Sequence, residues 1–154
     1  MPTTKKPNRP RPRSSIIVQS AVAGAPAAAS LRRFALAALQ TSAPGRAEIT
    51  LRVVGASESE KLNRKYRAKA SPTNVLSFPY GGGSGDAVLC HPVIRKEARE
   101  QRKPLAAHYA HLVVHGILHL RGYDHRRRLD AARMERMEIR ILRRLGFGDP
   151  YEVK

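Results

Sequence analysis

An α+β fold, a small mixed β-sheet packed with helices, follows from three observations on this 154-residue chain. Short β-branched runs fall before residue 91. Helical periodicity dominates from residue 93 onward. Between some of the early runs lie segments with a helical stripe, so the strands are not all joined by hairpins.

The elements follow in order. Residues 1–14 hold Lys, Arg, Pro, Thr, Asn and one Ser with nothing apolar beyond Met1, and read as a disordered basic arm. Residues 15–154 form the single domain. Ile16-Ile17-Val18-Gln19 is the first strand. Pro26 can open a helix, and Leu31, Phe34, Leu36, Ala38 and Leu39 give it an apolar stripe to about residue 41. Ala43-Pro44-Gly45 is a loop. Residues 48–54 alternate polar and apolar, as a strand with one exposed face does. Ser57 with Glu60 fits a capping box, which predicts a helix from about 58 to 67, broken at Ser71-Pro72-Thr73. Val75-Leu76-Ser77-Phe78 reads as a buried strand. The glycine-rich link at 81–85 leads to a strand at about 86–90, so the two should form a hairpin. A helix is expected at about 93–101. Pro104 opens the next, and the last runs from about 128 to 145, closed by Gly146. That helix should face inward with Met134, Met137, Ile141 and Leu145, and outward with Arg133, Arg136, Arg140 and Arg143.

Composition narrows the function classes. Lys and Arg number 29 against 12 acidic residues, a net charge of +17. Lys5, Lys6, Arg9, Arg11 and Arg13 place five of these charges in the arm and leave +12 on the rest. A surplus of that size favours polyanions, nucleic acid above all. Cys90 is the single cysteine, so an intramolecular disulfide is excluded; its apolar neighbours make it a buried strand thiol. No stretch approaches the ~20 apolar residues of a membrane span. Arg32-Arg33 precedes an apolar run of six residues, shorter than the ~7–15 of an export-signal core. A cytoplasmic protein without membrane attachment is expected.

The segment richest in chemistry is His115-Gly116-Ile117-Leu118-His119-Leu120-Arg121-Gly122-Tyr123-Asp124-His125. Four residues separate His115 from His119, which stacks them one turn apart on one helix face. Gly122 can end the helix in a left-handed conformation, and His125 in the following loop can swing back to the same point. Three neutral imidazoles match the ligand set of an open zinc site, whose fourth position takes water or substrate. With His108 and His111 the helix carries a histidine stripe about 60° wide. His111 has three readings: a contact behind the ligands, a substrate contact, or a satisfied core histidine. Asp124 adjoins a ligand and could orient one. Asp86 could simply begin a strand or turn.

The residue after the first histidine discriminates between chemistries. Zinc peptidases of the H-E-x-x-H type carry their general base there; this chain has Gly116. Phosphodiester cleavage makes less of that position, because a metal and cationic side chains can stabilise charge developing on phosphoryl oxygens. An assembly factor with a structural metal is the other alternative. A closed structural site needs four protein ligands, and three are evident.

The histidine segment resembles the signature of the YbeY family, bacterial rRNA maturation factors regarded as zinc-dependent endoribonucleases. Leu62-Asn63-Arg64-Lys65-Tyr66-Arg67, Pro72-Thr73-Asn74-Val75-Leu76-Ser77-Phe78-Pro79, Gly85-Asp86 and Met134 to Leu142 are similar to further family blocks. The resemblance covers about residues 46–151, with weaker support over 15–45; the basic arm lies outside it. It implies an α+β fold and one Zn²⁺ held by His115, His119 and His125. It also implies single-stranded RNA as substrate, and rRNA and the small ribosomal subunit as partners, with ribosome-assembly proteins as further candidates. The work implied is late 3′-end maturation of small-subunit rRNA and ribosome quality control. The family's functional arginine carries over to Arg67, so Arg67 and His115 are the implied catalytic residues and Arg67 the implied nucleic-acid contact. A guanidinium fork suits phosphate on its own chemistry; a solvated charge at a helix end is the plainer reading of the same residue.

Overall fold

A computed structural model describes residues 14–42, 45–67, 73–123 and 127–152, with the side chains of residues 63, 66 and 67 outside the description. The basic arm up to residue 13, Pro72, Asp124 and His125 also lie outside it. The element order is β1 (Ser15–Ser20), α1 (Ala28–Thr41), β2 (Glu48–Val54), α2 (Ala56–Arg67), β3 (Val75–Gly81), β4 (Ser84–Cys90), α3 (His91–Glu100), α4 (Leu105–Leu120) and α5 (Arg128–Arg144).

The sheet has four strands in the order β1-β2-β4-β3. β1 runs parallel to β2, and β2 parallel to β4, while β3 pairs antiparallel with β4. The sheet is therefore mixed, as expected. A parallel neighbour needs a crossover, and α1 supplies the first. The β3–β4 hairpin supplies the antiparallel edge. Its turn is tighter than the glycine run suggested. Gly81 and Ser84 still pair across it, and only Gly82 and Gly83, both at positive φ, make the bend.

Alternation along β2 sorts the two faces of the sheet. Ile49, Leu51 and Val53 join Ala87 and Leu89 of β4 in the main core with Leu31, Phe34, Val113, Ile117 and Leu118 of α1 and α4. The opposite face carries a small cluster, Val54, Leu76 and Val88, against which Leu62 of α2 and Phe78 pack. Gly85 of β4 marks a tight approach on this scaffold. A β-carbon there would lie 2.4 Å from the Phe78 carbonyl oxygen and 2.7 Å from Leu120 of α4.

Several boundaries moved, each for a local reason. α2 begins at Ala56, and the Ser59 amide bonds the Gly55 carbonyl, so Ser57 sits inside the first turn instead of capping it. α1 begins at Ala28 with Ala27 as its cap, two residues after Pro26 could have opened it. α3 starts at His91 with Pro92 in its first turn. Gly122 and Gly146 behave as expected. Each follows its helix at positive φ, and Tyr123 and Phe147 donate amides back to Leu118 and Leu142, the paired closure of a Schellman end. Among the described residues, no helix is long and apolar enough to cross a membrane.

Candidate metal centre

α4 is the axis of the molecule: α1, α3, α5, β3 and β4 all pack on it. A helix wrapped on so many sides should be apolar almost all round, and it is. From His108 to Leu120 every residue is buried except His111, His115 and His119. The strip of helix left accessible is therefore an imidazole strip. Neighbouring rings along it lie 6.3 Å apart for His108–His111, 6.3 Å for His111–His115 and 5.2 Å for His115–His119, each pair edge to face.

Gly116 explains itself in this setting. Its absent β-carbon would lie 3.3 Å from Val75 and 3.5 Å from both Ala87 and Ser77, and its carbonyl accepts a hydrogen bond from Ser77 Oγ at 3.2 Å. The position faces the sheet, away from the imidazole strip. A general-base glutamate there would be driven into β3 and β4.

The strip rests on a carboxylate. Glu138 of α5 is fully buried. Its Oε2 accepts from His115 Nδ1 at 3.1 Å, and its Oε1 from His111 Nε2 at 2.7 Å and from the Tyr151 hydroxyl at 2.5 Å. Burial alone would raise the pKa of this carboxyl, but the bonds from His111, His115 and Tyr151 outweigh burial and bring it to about 2. An ionised carboxylate only accepts hydrogen bonds, which fixes the tautomers. His115 thus donates from Nδ1, which leaves Nε2 as the nitrogen on the far side of its ring, and His111 donates from Nε2. Tyr151 OH has its pKa pushed up by burial and by the Glu138 carboxylate.

His111, His115 and Glu138 offer ligand atoms that all lie within 4.8 Å of one another, an arrangement compatible with a metal ion. This set shares His115 with the expected triad. Of that triad, His115 and His119 are together on the strip, and His125 lies outside the described residues. Arg67 is the last residue of α2. Glu138 and Tyr151 were not singled out from sequence. Glu138 could have been: it falls four residues after Met134 and three before Ile141, within the inner stripe of α5, where a carboxylate needs buried partners. Tyr151 lies 40 positions from His111 and follows the helix, so no periodicity marks it.

The remaining candidates have structural settings. His108 Nε2 bonds Glu97 at 2.9 Å, and Glu97 also accepts from Asn74; burial lowers the His108 pKa against the pull of Glu97. Asp86 is mid-strand in β4 and takes a hydrogen bond from the Tyr80 hydroxyl. Cys90 is buried at the end of β4, as its neighbours implied.

Comparison with known proteins agrees with this architecture. Residues 22–146 match the family described as Endoribonuclease YbeY. An Endoribonuclease YbeY of Aromatoleum aromaticum is 49% identical over 147 residues, covering 90% of this chain and 93% of the relative. One from Thiobacillus denitrificans is 50% identical over 131 residues, covering 82% and 86%. The solution structure of TM1509 from Thermotoga maritima shares the fold with a TM-score of 0.58 at 21% identity, covering 89% of this chain and 99% of that one. By sequence over most of its length, with the fold and the histidine strip in agreement, the chain belongs to the endoribonuclease YbeY family.

Proposed function

We propose that this protein is a zinc-dependent endoribonuclease that cuts single-stranded RNA. Its work would be late 3′-end maturation of small-subunit rRNA and ribosome quality control in the cytoplasm. The observation that carries the reading is the accessible strip of α4, where the rings of His115 and His119 stand 5.2 Å apart and His115 is held through Nδ1 by Glu138. Membership of a family named for RNA cleavage supplies the substrate class.

His115, His119 and His125 would hold the ion, and a donor set of three imidazoles suits zinc with one position left for water or substrate. Bound there, zinc would supply Lewis acidity toward a phosphoryl oxygen and a lowered pKa for water. Arg67 would grip the scissile phosphate through two parallel hydrogen bonds. Its place is the last residue of α2. The net charge of +17 would draw the RNA in and make binding steeply salt-dependent, with rRNA and the small subunit as partners.

The test is metal analysis with cleavage of a single-stranded RNA and its duplex form. Zinc-loaded protein should cut the single strand, and chelation should abolish cutting. Arg67→Ala should keep the metal and lose most cleavage, and Arg67→Lys should restore little of it, since an ammonium cannot make the paired contact. A lysine variant with full activity would show that charge alone matters there. Equal cutting by chelated protein would sink the metal reading.

A further inference from the structure

Three groups of this protein converge on one buried carboxylate, and two of them come from far along the chain. Glu138 belongs to α5, His111 and His115 to α4, and Tyr151 to the segment that follows α5. That segment is tied down along its length. Phe147 packs edge to face on Phe34 with ring centroids 5.7 Å apart. The Pro150 carbonyl accepts from Lys103 Nζ at 2.8 Å, and the Tyr151 amide donates to Asp149 Oδ1 at 2.8 Å. The C-terminal segment thus reaches back and delivers a hydroxyl to the carboxylate beneath the imidazole strip.

The geometry points to Glu138 as the positioning residue of the metal centre, clamped from behind by Tyr151 and His111, so that the C-terminal segment is part of that centre's support. This rests on the reading of His115 as a ligand. Glu138 could instead be a ligand itself, together with His111 and His115. The distances favour support. Two atoms that each sit ~2.0–2.1 Å from a tetrahedral zinc lie about 3.3 Å apart. The 2.7 Å from His111 Nε2 to Glu138 Oε1 and the 2.5 Å from Tyr151 are hydrogen-bond lengths. Both oxygens of Glu138 are committed to donors, and the residue has no solvent exposure. A carboxylate that accepts from the far nitrogen of a ligating imidazole fixes its tautomer and orientation and raises its basicity. His111 then acts as a second brace on the same carboxylate, which accounts for an imidazole on the strip outside the expected triad.

The test compares zinc affinity, by competition with a chromophoric chelator, and the visible spectrum of the cobalt-substituted protein. Wild type, Glu138→Gln, Tyr151→Phe and His111→Gln are measured, each first checked for fold by circular dichroism. Glu138→Gln should keep one metal per chain but bind it about 10–100-fold more weakly, the range typical of lost outer support. Tyr151→Phe should weaken binding several-fold. His111→Gln should leave the cobalt band pattern of the wild type, because no ligand has been lost. Wild-type affinity in folded Glu138→Gln and Tyr151→Phe would overturn the inference. So would a changed cobalt pattern in His111→Gln, which would make His111 a ligand. If Glu138→Gln does not fold, Tyr151→Phe decides, since it removes one oxygen and leaves the ring in place. A wild-type chain that takes up no metal would instead sink the proposed function, an outcome distinct from unaltered variants.

Discussion

The two sides of α4 are built from the same sixteen residues and obey different rules. On the packed side, Val113 and Ile117 are buried among aliphatic neighbours. Their contribution scales with area, has no direction and is shared among many contacts. On the other side stand His111, His115 and His119, partly accessible, with their rings set by individual hydrogen bonds and ring contacts. Burial there is incomplete, and position matters to a fraction of an ångström. The first side should fix how stable the protein is, and the second what it can bind.

That division can be broken most sharply at His119. His119→Ala should abolish metal uptake and RNA cleavage while the melting transition of the metal-free protein stays within about 1 kcal/mol, the usual range for a partly exposed site. A large loss of metal-free stability would show that the strip also holds the fold. Ile117→Ala, two residues away on the other side, should do the reverse. It should cost about 2–5 kcal/mol in chemical denaturation, with metal content per folded chain unchanged.

The glycines grade the packing side more finely. Gly85→Ala sets a β-carbon against a backbone carbonyl and Leu120, and overpacking of that kind costs about 1–3 kcal/mol or more. Gly116→Ala meets Val75 at 3.3 Å, with Ala87 and Ser77 at an ordinary 3.5 Å, and gains about 1 kcal/mol of helix propensity, so its net change should be small. Equal losses at both sites, measured by urea titration, would show that α4 cannot shift against β3 at all.

The smallest effect concerns pH on the packing side. Burial, with Arg95 nearby, lowers the pKa of His91, whose Nδ1 lies 2.6 Å from the Tyr109 hydroxyl. The unfolded chain takes up a proton below about 6.5 that the folded state resists. Stability from this residue is therefore present above that value and is lost as pH falls through it toward the lowered folded pKa. His91→Asn keeps a polar partner for Tyr109 without a titrating group. The fall in stability between pH 7.5 and pH 5 should be shallower in this variant; a slope as steep as the wild type would place the linkage elsewhere, with His108 the next group to examine.

Much of this was legible because local signals and burial agreed. The alternation of residues 48–54 became β2 with Ile49, Leu51 and Val53 in the main core, and the Met134–Ile141 stripe became the inner face of α5. The spacing of His115 and His119 put their rings side by side. Ser57 and Glu60 misled at the start of α2, because Gly55 already offered a carbonyl one turn before Ser59. Glu138 was overlooked because charge on a helix ordinarily marks its solvent face, and only the tertiary partners supplied by α4 and Tyr151 make its burial tolerable. Those partners are long-range, and no window of sequence contains them. Arg67 and His125, the other members of the expected site, rest on family resemblance and on motif spacing.

The central position of α4 also sets a clock. A helix packed on by three helices and two strands cannot open by itself, so its amide protons should exchange with solvent only through events close to global unfolding. α2 is held to the far face by a small cluster and should exchange sooner. The imidazoles thus ride on the slowest-exchanging element, while Arg67 ends one of the quicker ones. In such a protein two of the three proposed ligands would hold their places through partial openings, and the proposed grip on substrate would be the first thing to loosen.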